Sequence, residues 1–409
     1  MVLKKVISVI AASSVCLSLF TFNVNAGTSG NAVRTPSQLM NMKSNGNYYL
    51  ACDIDLSNTA WKSINGFSGH FDGNGYEITG LTSETYGLFS TLKTGAVVEN
   101  VELTDVYITS KYQNVGAIVS SIPSKEKNIT VKNCFVSGLV SSCRTKFGQD
   151  TSNSTAGSIV GRNNSASTVI SDCYSNAVVA SEKIVGGITG INYGTIKSCG
   201  FGGQIGSSYN IYELGCDENG KKNEDYRYLY CVGGICGFNY NKISNSFSNC
   251  TRVDVASYYG GIVGVLQKSG SISYCVNSSD VLYDDNLTGG LIAGYASSKS
   301  KVTNCYTKKP TNSTVSNDIG KGKTGTQTYS VSADKYNKIS SFKKLDNDWI
   351  IANGVPVLKE LKEYINYVPL YEIKGERLVS LSNNQSVSEE DDENLSVDYG
   401  YDEFGNILE

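Results

Sequence analysis

The sequence is poor in histidine, proline and methionine, and it has no long apolar stretch beyond its first residues. Its 409 residues include one His, 5 Pro and 3 Met, and the formal net charge is −3. A single His excludes a His-Glu-x-x-His zinc site, and a Ser/His/Asp triad would have to use His70. This weakly negative net charge argues against nucleic-acid binding. No later run of ~18 apolar residues predicts a membrane span.

The first 26 residues have the pattern of a signal peptide. Two lysines precede an apolar run over residues 6–20, and residues 24–26 offer small side chains for cleavage. A lipoprotein alternative at Cys16 is weaker, because the residues before it make a poor lipobox. We therefore predict cleavage after Ala26 and a secreted, extracellular or envelope-associated bacterial protein.

Glycine, tyrosine and internal repetition are abundant. A short block bounded by small residues recurs at residues 116–120, 157–161, 186–190, 233–237, 260–264 and 290–294. A second block, an apolar residue with a small one three positions later, follows each copy. The shortest spacings give a unit near 29 residues, too small for a propeller blade of ~40–50 residues. Such a unit cannot bury its own face. We predict an all-β fold, a right-handed single-stranded parallel β-helix.

The end of the second block is a cysteine in five copies, namely Cys134, Cys173, Cys199, Cys275 and Cys305. Val101 and Ser246 occupy the same position elsewhere, so the position favours a small side chain rather than a disulfide or a metal ligand. We predict a structural ladder of buried free thiols. Disulfides between turns are the alternative, since stacked strands lie ~4.8 Å apart. Cys216 and Cys231 flank an insertion and are better disulfide candidates.

Two features of the repeats predict sharp changes of chain direction. The apolar residue and the cysteine are three positions apart, which breaks simple strand alternation, so we expect a bend or bulge between them. Asn-rich segments join the first block to the second, and Asn and Gly tolerate the positive φ of tight corners. These segments are residues 163–164, 192–194, 239–241 and 268–270.

The composition also predicts how the chain is divided. A short helix with Thr35 as N-cap and Pro36 at its first position should close the first turn, and Trp349 should act as a lid over the last. Residues 363–409 contain an acidic run and are predicted to be a partly disordered tail. The predicted divisions are a signal peptide 1–26, an N-terminal cap and first strand 27–60, the β-helix 61–310 with insertions 141–156 and 209–230, a closing segment 311–362 and the tail 363–409.

Several segments resemble the GLUG-motif repeat family of bacterial secreted and surface proteins. Residues 185–199 (VGGITGINYGTIKSC) carry the repeat motif, and residues 67–81, 86–89 and 349–358 resemble its flanking segments. The resemblance covers roughly residues 32–359. It implies a pectate-lyase-like β-helix outside a bacterium. GLUG repeats also occur beside the protease domain of immunoglobulin-A metallopeptidases, but His70 alone cannot supply that zinc site.

The insertion at 209–230 is the best candidate binding element, because it concentrates aromatic rings beside an arginine. The candidate residues are Tyr209, Tyr212, Tyr226, Arg227, Tyr228 and Tyr230. Packing of these rings against the β-helix wall is the alternative. No catalytic residue, cofactor or metal site is predicted, and His70 is expected in a turn.

Three functions remain open at this point. The first is a non-catalytic binding or adhesion module, a monomer that takes an extracellular glycan or protein ligand. The second is a polysaccharide lyase or glycoside hydrolase, although no carboxylate pair is visible along one strand. The third is a structural spacer.

Overall fold

A computed structural model describes eleven segments of the chain. These are residues 30–142, 154–207, 229–250, 252–253, 256–268, 270–279, 288–309, 317–322, 326–367, 371–374 and 377–380. Within them the chain winds through four parallel sheets, here named A to D. A turn passes through all four in the order A, D, C, B, as Val169–Ser171, Val178–Ser181, Ile184–Gly186 and Thr189–Asn192 illustrate. The predicted all-β parallel β-helix is confirmed, while its hand stays a prediction.

The four sheets contain most of the strands. Sheet A contains Asn31–Val33, Asn47–Leu50, His70–Asp72, Val97–Glu99, Thr130–Lys132, Val169–Ser171, Thr195–Lys197, Lys242–Ser244, Ser271–Ser273 and Lys301–Thr303. Sheet B contains Phe89–Thr91, Val119–Ile122, Val160–Asn163, Thr189–Asn192, Cys236–Asn239, Val263–Leu266, Ala293–Ala296 and Ile319–Gly322. Sheet C contains Asn114–Val115, Thr155–Gly157, Ile184–Gly186, Leu229–Gly233, Ala256–Gly260 and Thr288–Gly290.

Sheet D is the sheet on which the C-terminal segment packs. It contains Ile54–Asp55, Glu77–Thr79, Thr82–Ser83, Glu102–Ser110, Phe135–Ser142, Tyr174–Ser175, Val178–Ser181, Gly200–Phe201, Gln204–Ser207, Phe247–Ser248, Arg252–Val253, Val276–Asn277, Cys305–Lys308 and Thr328–Val331. Two antiparallel pairs lie outside the four sheets, Trp349–Ala352 with Val355–Leu358 and Tyr371–Lys374 with Arg377–Ser380. Helical turns are Pro36–Met40, Ala333–Tyr336, Ile339–Ser341, Lys359–Leu361 and Glu363–Asn366.

The core consists of columns of identical positions in successive turns. The apolar residues that begin the second block are paired in register along sheet A and are at most 3% exposed. The column is Phe71, Val98, Val131, Ile170, Ile196, Ile243, Ile272 and Val302. Each turn thus covers its neighbour's apolar face, which explains why one repeat cannot fold alone.

The predicted bend lies at the residue before each cysteine position. This residue has a positive φ of 48–56° in seven turns: Asn100, Asn133, Asp172, Ser198, Asn245, Tyr274 and Asn304. Five of these are Asn or Asp, the residues besides Gly that enter this region most readily. The bend turns the following side chain inward, so both the apolar residue and the cysteine face the core.

The Asn-rich segments take a role different from the predicted one. Asn163, Asn192 and Asn239 do not have positive φ and are completely buried. Asn163 Nδ2 donates to Asn192 Oδ1 at 2.9 Å, and Asn192 Nδ2 donates to Asn239 Oδ1 at 2.8 Å. The prediction of positive φ was wrong for these three residues. Their side-chain amides instead form a hydrogen-bonded ladder from turn to turn at this corner. Lys268 does have a positive φ, of 51°.

The first block forms the corner between sheets C and B. Its leading glycine approaches the backbone of the residue three positions later: a Cβ on Gly186 would lie 2.1 Å from Thr189 O. At Gly260 the corresponding distance to Val263 O is 1.9 Å. Close backbone contact, rather than positive φ, therefore requires glycine at this corner.

The N-terminal end contains the predicted helix, at Pro36–Met40. Thr35 Oγ1 accepts a hydrogen bond from Gln38 N at 3.2 Å, and Leu39 is completely buried. Parallel strand pairing starts at Asn31 and continues to Val331, so it extends beyond the predicted 61–310 at both ends. The insertion predicted at 141–156 is also shorter, because both of its ends lie in strands.

The C-terminal segment packs along the side of the β-helix. Residues 333–367, here called the C-terminal strap, cover the outward side chains Phe135, Tyr174, Phe247, Val276 and Tyr306 of sheet D. Trp349 is 3% exposed and meets Phe247 edge to face at 6.2 Å, and Tyr364 stacks on Phe135 at 4.7 Å. The expected end lid is therefore a side cover, because the residue that follows the cysteine position is apolar in most turns and these side chains form an outward stripe that needs covering. The packed strap extends to Tyr367, beyond residue 363, where the tail was predicted to start.

Candidate functional site

A groove of about 890 Å³ lies where sheets B and C begin, and aromatic and polar side chains line it. Its aromatic members are Trp61, Tyr86 and Tyr112, and the two tyrosine rings stack at 4.6 Å with 9° between their planes. Tyr112 is 42% exposed. The volume lies within the range of small-molecule sites.

The repeat spacing places these three rings together. Trp61, Tyr86 and Tyr112 are 25 and 26 residues apart, about one turn each, so successive turns bring them to one side. Trp61 Nε1 donates to Gly87 O at 3.2 Å, which fixes the indole. Ser142 Oγ donates to Tyr112 O at 2.9 Å and anchors the backbone of that loop. These three residues were not among the predicted site residues, although their spacing is visible in the sequence.

Amide groups and lysines complete the groove. Asn65 Oδ1 accepts hydrogen bonds from Ser90 Oγ at 3.0 Å and Thr91 Oγ1 at 2.8 Å, which leaves its amino group as a donor. Lys62 and Lys111 contribute positive charge, and none of the described residues that line the groove is acidic. Burial, followed by the neighbouring Tyr112, raises the pKa of Tyr86. The groove thus offers flat apolar faces, hydrogen-bond donors and cations.

Of the predicted binding residues in the insertion, the structure describes only Tyr230. Tyr209, Tyr212, Tyr226, Arg227 and Tyr228 lie outside the described residues. Tyr230 is 47% exposed and contacts Phe238 and Tyr258, with ring centroids at 5.9 and 5.7 Å. These rings belong to a wider outer aromatic cluster that also contains Tyr193, Tyr240 and Tyr295. Tyr230 is therefore both packed on the wall and accessible.

The five cysteines of the predicted ladder are interior and free. Each is at most 1% exposed, and all nine described cysteines are unpaired. Each ladder thiol lies 3.1–3.4 Å from the carbonyl oxygen two residues before it. Ser246 donates to Ser244 O in the same way at 2.9 Å. The position thus accommodates a small side chain, and Ser246 makes the same contact as the thiols, which explains the exchange of Cys for Ser.

Cys231, one of the two disulfide candidates, is a free thiol in the structure. It is completely buried on Leu229–Gly233, and its Sγ lies 3.0 Å from Gly237 O. Its side chain packs with Ile184, Ile191 and Val265 under the outer aromatic cluster. Cys216 lies outside the described residues.

A column of carboxylates on sheet D was also missed. Asp53, Glu77 and Glu102 occupy matching positions in three successive turns, and Glu77 is paired directly with Glu102. Burial, followed by the charges of Glu77 and Asp53, raises the pKa of Glu102 to about 7. Burial also raises the pKa of Glu77, although the hydrogen bond donated by Thr104 acts in the opposite direction and lowers it. The next residue in this column is Phe135, on which Tyr364 and Tyr367 of the strap pack.

This column makes stability depend on pH. The folded protein holds the Glu102 proton up to about pH 7, whereas the unfolded chain releases it near 4.5. Stability should therefore fall as the pH rises from about 4.5 to 7, by at most about 3 kcal/mol from this group, and then level off. Denaturation of the full chain at a series of pH values measures this slope.

Two variants separate Glu102 from the other carboxylates. Glu102→Gln should flatten the slope between pH 4.5 and 7, because the amide does not titrate. Glu360→Gln, an exposed site on the strap, should leave the slope unchanged. An unaltered slope in Glu102→Gln would show that this carboxyl is not held protonated.

Comparison with known proteins bears on the fold. No protein-family profile and no curated protein matches the sequence. Among solved structures, a Bacteroides ovatus protein provisionally named an immunoglobulin A1 protease matches with a TM-score of 0.50 and 21% identity, over 84% of this chain and 96% of that one. A second, named IgA1 protease, matches with a TM-score of 0.51 and 17% identity, over 81% of this chain but 25% of that protein. At these identities the likeness supports the fold alone. In the described part of the chain, no helix is long and apolar enough to cross a membrane.

Proposed function

We propose that this protein is a secreted or cell-surface glycan-binding module that holds acidic sugar chains in the groove around Trp61, Tyr86 and Tyr112. The observation that carries the proposal is the stacked pair Tyr86–Tyr112 beside a fixed indole. The apolar C–H faces of sugar rings pack on such flat aromatic surfaces, while the amide groups of Asn65 and Gln113 match sugar hydroxyls.

The charge of the groove determines the class of glycan. Lys62 and Lys111 line it without an acidic neighbour among the described lining residues, so a uronic acid or another acidic sugar should bind better than a neutral one. The signal peptide pattern and the resemblance to GLUG-repeat proteins support a location outside the cell. An adhesion role follows if such glycans lie on another cell.

Hydrolysis of a glycan is the second candidate function. The in-register carboxylates Glu77 and Glu102, with raised pKa values, favour it, because one protonated and one ionised carboxyl is the arrangement that glycosidases use. Against it, the strap tyrosines Tyr364 and Tyr367 pack beside these groups. Binding is therefore the better-supported function.

The proposal is tested by titrating the full chain with polyuronate and matched neutral oligosaccharides in a calorimeter. Tyr112→Ala should weaken binding of the acidic oligosaccharide by about 10- to 100-fold, since a central aromatic contact contributes about 1.5–3 kcal/mol. Lys111→Met should reduce the preference for acidic over neutral oligosaccharides. Tyr295→Ala, in the separate outer aromatic cluster, is the matched control and should bind normally.

The same samples are assayed for released reducing or unsaturated ends. Retention without product supports a binding module. Product that disappears in Glu102→Gln would instead establish the hydrolase. Equal affinity of Tyr112→Ala and the unmodified chain would overturn the groove as the binding site.

A further inference from the structure

A second cluster of functional groups lies on the outer face of sheet A and shares no residue with the groove lining. His70 and Asp72 belong to one strand, and Glu99 belongs to the next, in register with Asp72. Residues two apart on a strand point to the same face, and the intervening Phe71 and Val98 are completely buried. The fold therefore places one imidazole and two carboxylates side by side on a rigid surface.

The distances between these groups suit a metal ion. Ligand atoms of His70, Asp72 and Glu99 all lie within 4.8 Å of one another, and His70 Nε2 is 2.5 Å from Glu99 Oε1. Ligands around a Zn²⁺ ion with bonds of about 2.0–2.2 Å are separated by roughly 3–3.5 Å. His70 and Glu99 therefore need to separate by about 1 Å, and the other ligand pairs, which lie within 4.8 Å, need to close by at most about 1.5 Å.

Surrounding residues orient two of the three ligands. Asp72 Oδ1 accepts hydrogen bonds from Asn74 N and Asn100 Nδ2, both at 2.8 Å, which fixes the carboxylate and leaves Oδ2 to ligate an ion. Asn133 Nδ2 in turn donates to Asn100 Oδ1 at 2.7 Å. Outer hydrogen bonds of this kind are typical around protein metal ligands.

A lysine forms an ion pair with the other carboxylate oxygen of Glu99. Lys132 Nζ lies 2.8 Å from Glu99 Oε2, so Oε1 is directed to His70. The side chain of His70 is 38% exposed, which leaves the cluster open to solvent on that side. The two carboxylates exceed the single lysine by one negative charge, so the cluster attracts a cation.

We propose that His70, Asp72 and Glu99 form a binding site for a divalent transition-metal ion of the Zn²⁺ class, with open positions toward solvent. An imidazole nitrogen with two carboxylate oxygens suits Zn²⁺, whereas Ca²⁺ takes oxygen ligands and more of them. The three ligands come from two adjacent strands, so the ion links two turns near the N-terminal end of the β-helix. The site stands independently of the glycan groove.

The test is calorimetric titration of the full chain with Zn²⁺ alone, with Ca²⁺ in parallel. One Zn²⁺ should bind, with little heat from Ca²⁺, and saturating Zn²⁺ should raise the unfolding temperature. His70→Gln and Glu99→Gln should each weaken Zn²⁺ binding by more than ~100-fold, and Asn100→Ala by roughly 10-fold. Asp334→Asn, at an exposed carboxylate outside the cluster, is the control and should leave affinity unchanged.

Lys132→Met provides the discriminating variant. It removes a competing cation from a surface position while all three ligands remain, so Zn²⁺ should bind more tightly than to the unmodified chain. Zn²⁺ binding that persists in His70→Gln, or that is no tighter in Lys132→Met, would overturn the site. Equal responses to Zn²⁺ and Ca²⁺ would also overturn it.

Discussion

Asn192→Ala should lower the free energy of unfolding by about 3–5 kcal/mol, one of the largest effects of any single substitution in this chain. The Asn192 amide makes four hydrogen bonds: it donates to Asn239 Oδ1 and Gly194 O, both at 2.8 Å, and accepts from Asn163 Nδ2 at 2.9 Å and Gly194 N at 3.0 Å. The side chain is completely buried. Truncation leaves several polar groups unpaired in the interior, each at about 1–3 kcal/mol.

Chemical denaturation followed by far-ultraviolet circular dichroism measures this loss. The matched control is Asn58→Ala, which makes the same chemical change at an exposed residue and should alter stability by less than about 0.5 kcal/mol. A loss below about 1 kcal/mol in Asn192→Ala would mean that water replaces the ladder, and that the corner does not depend on it.

Trp349→Ala should detach the C-terminal strap while the β-helix stays folded. Trp349 packs on Phe247 with Val357 and Leu358 around it, and removing such a side chain costs about 3–5 kcal/mol. The parallel sheets do not depend on the strap for their hydrogen bonds. The loss should therefore appear as local opening rather than as unfolding of the whole chain.

Hydrogen exchange resolved by peptide is the measurement. Amides of Trp349–Ala352 and Val355–Leu358 should exchange at least ~100-fold faster in the variant, while those of Val263–Leu266 should not change. Trp61→Ala replaces the other tryptophan of the chain and should leave strap exchange unaltered. Faster exchange confined to the last turn, Thr328–Val331, would instead favour a lid over the end of the core.

Much of the architecture was present in local sequence patterns. Columns such as Val131, Ile170 and Ile196 repeat with the period of one turn, so the stacked strands could be predicted before any contact was known. The helix at Thr35–Pro36 followed from a capping residue and a proline, which act within one turn of chain. These features depend on neighbours in sequence or on exact repetition.

The candidate sites were harder to predict because they depend on contacts between successive turns. Trp61, Tyr86 and Tyr112 lie outside the two repeated blocks, and their common side of the molecule follows only from the winding of the first turns. The same holds for Glu77 and Glu102, which are 25 residues apart and become neighbours through strand pairing. The regular blocks and the Tyr-rich insertion carry the stronger local signals in the sequence.

The sequence by itself determined the period, the inward columns and the small residues at the cysteine position, because each turn repeats the same local conformation. Only the tertiary structure decided where the C-terminal strap lies. The aromatic residues Phe135, Tyr174 and Phe247 follow the inward position directly and so point outward, yet nothing local specifies what covers them. The strap is distant in sequence from this stripe. It is held there because its packing removes apolar area from water, which depends on tertiary contacts and not on local sequence.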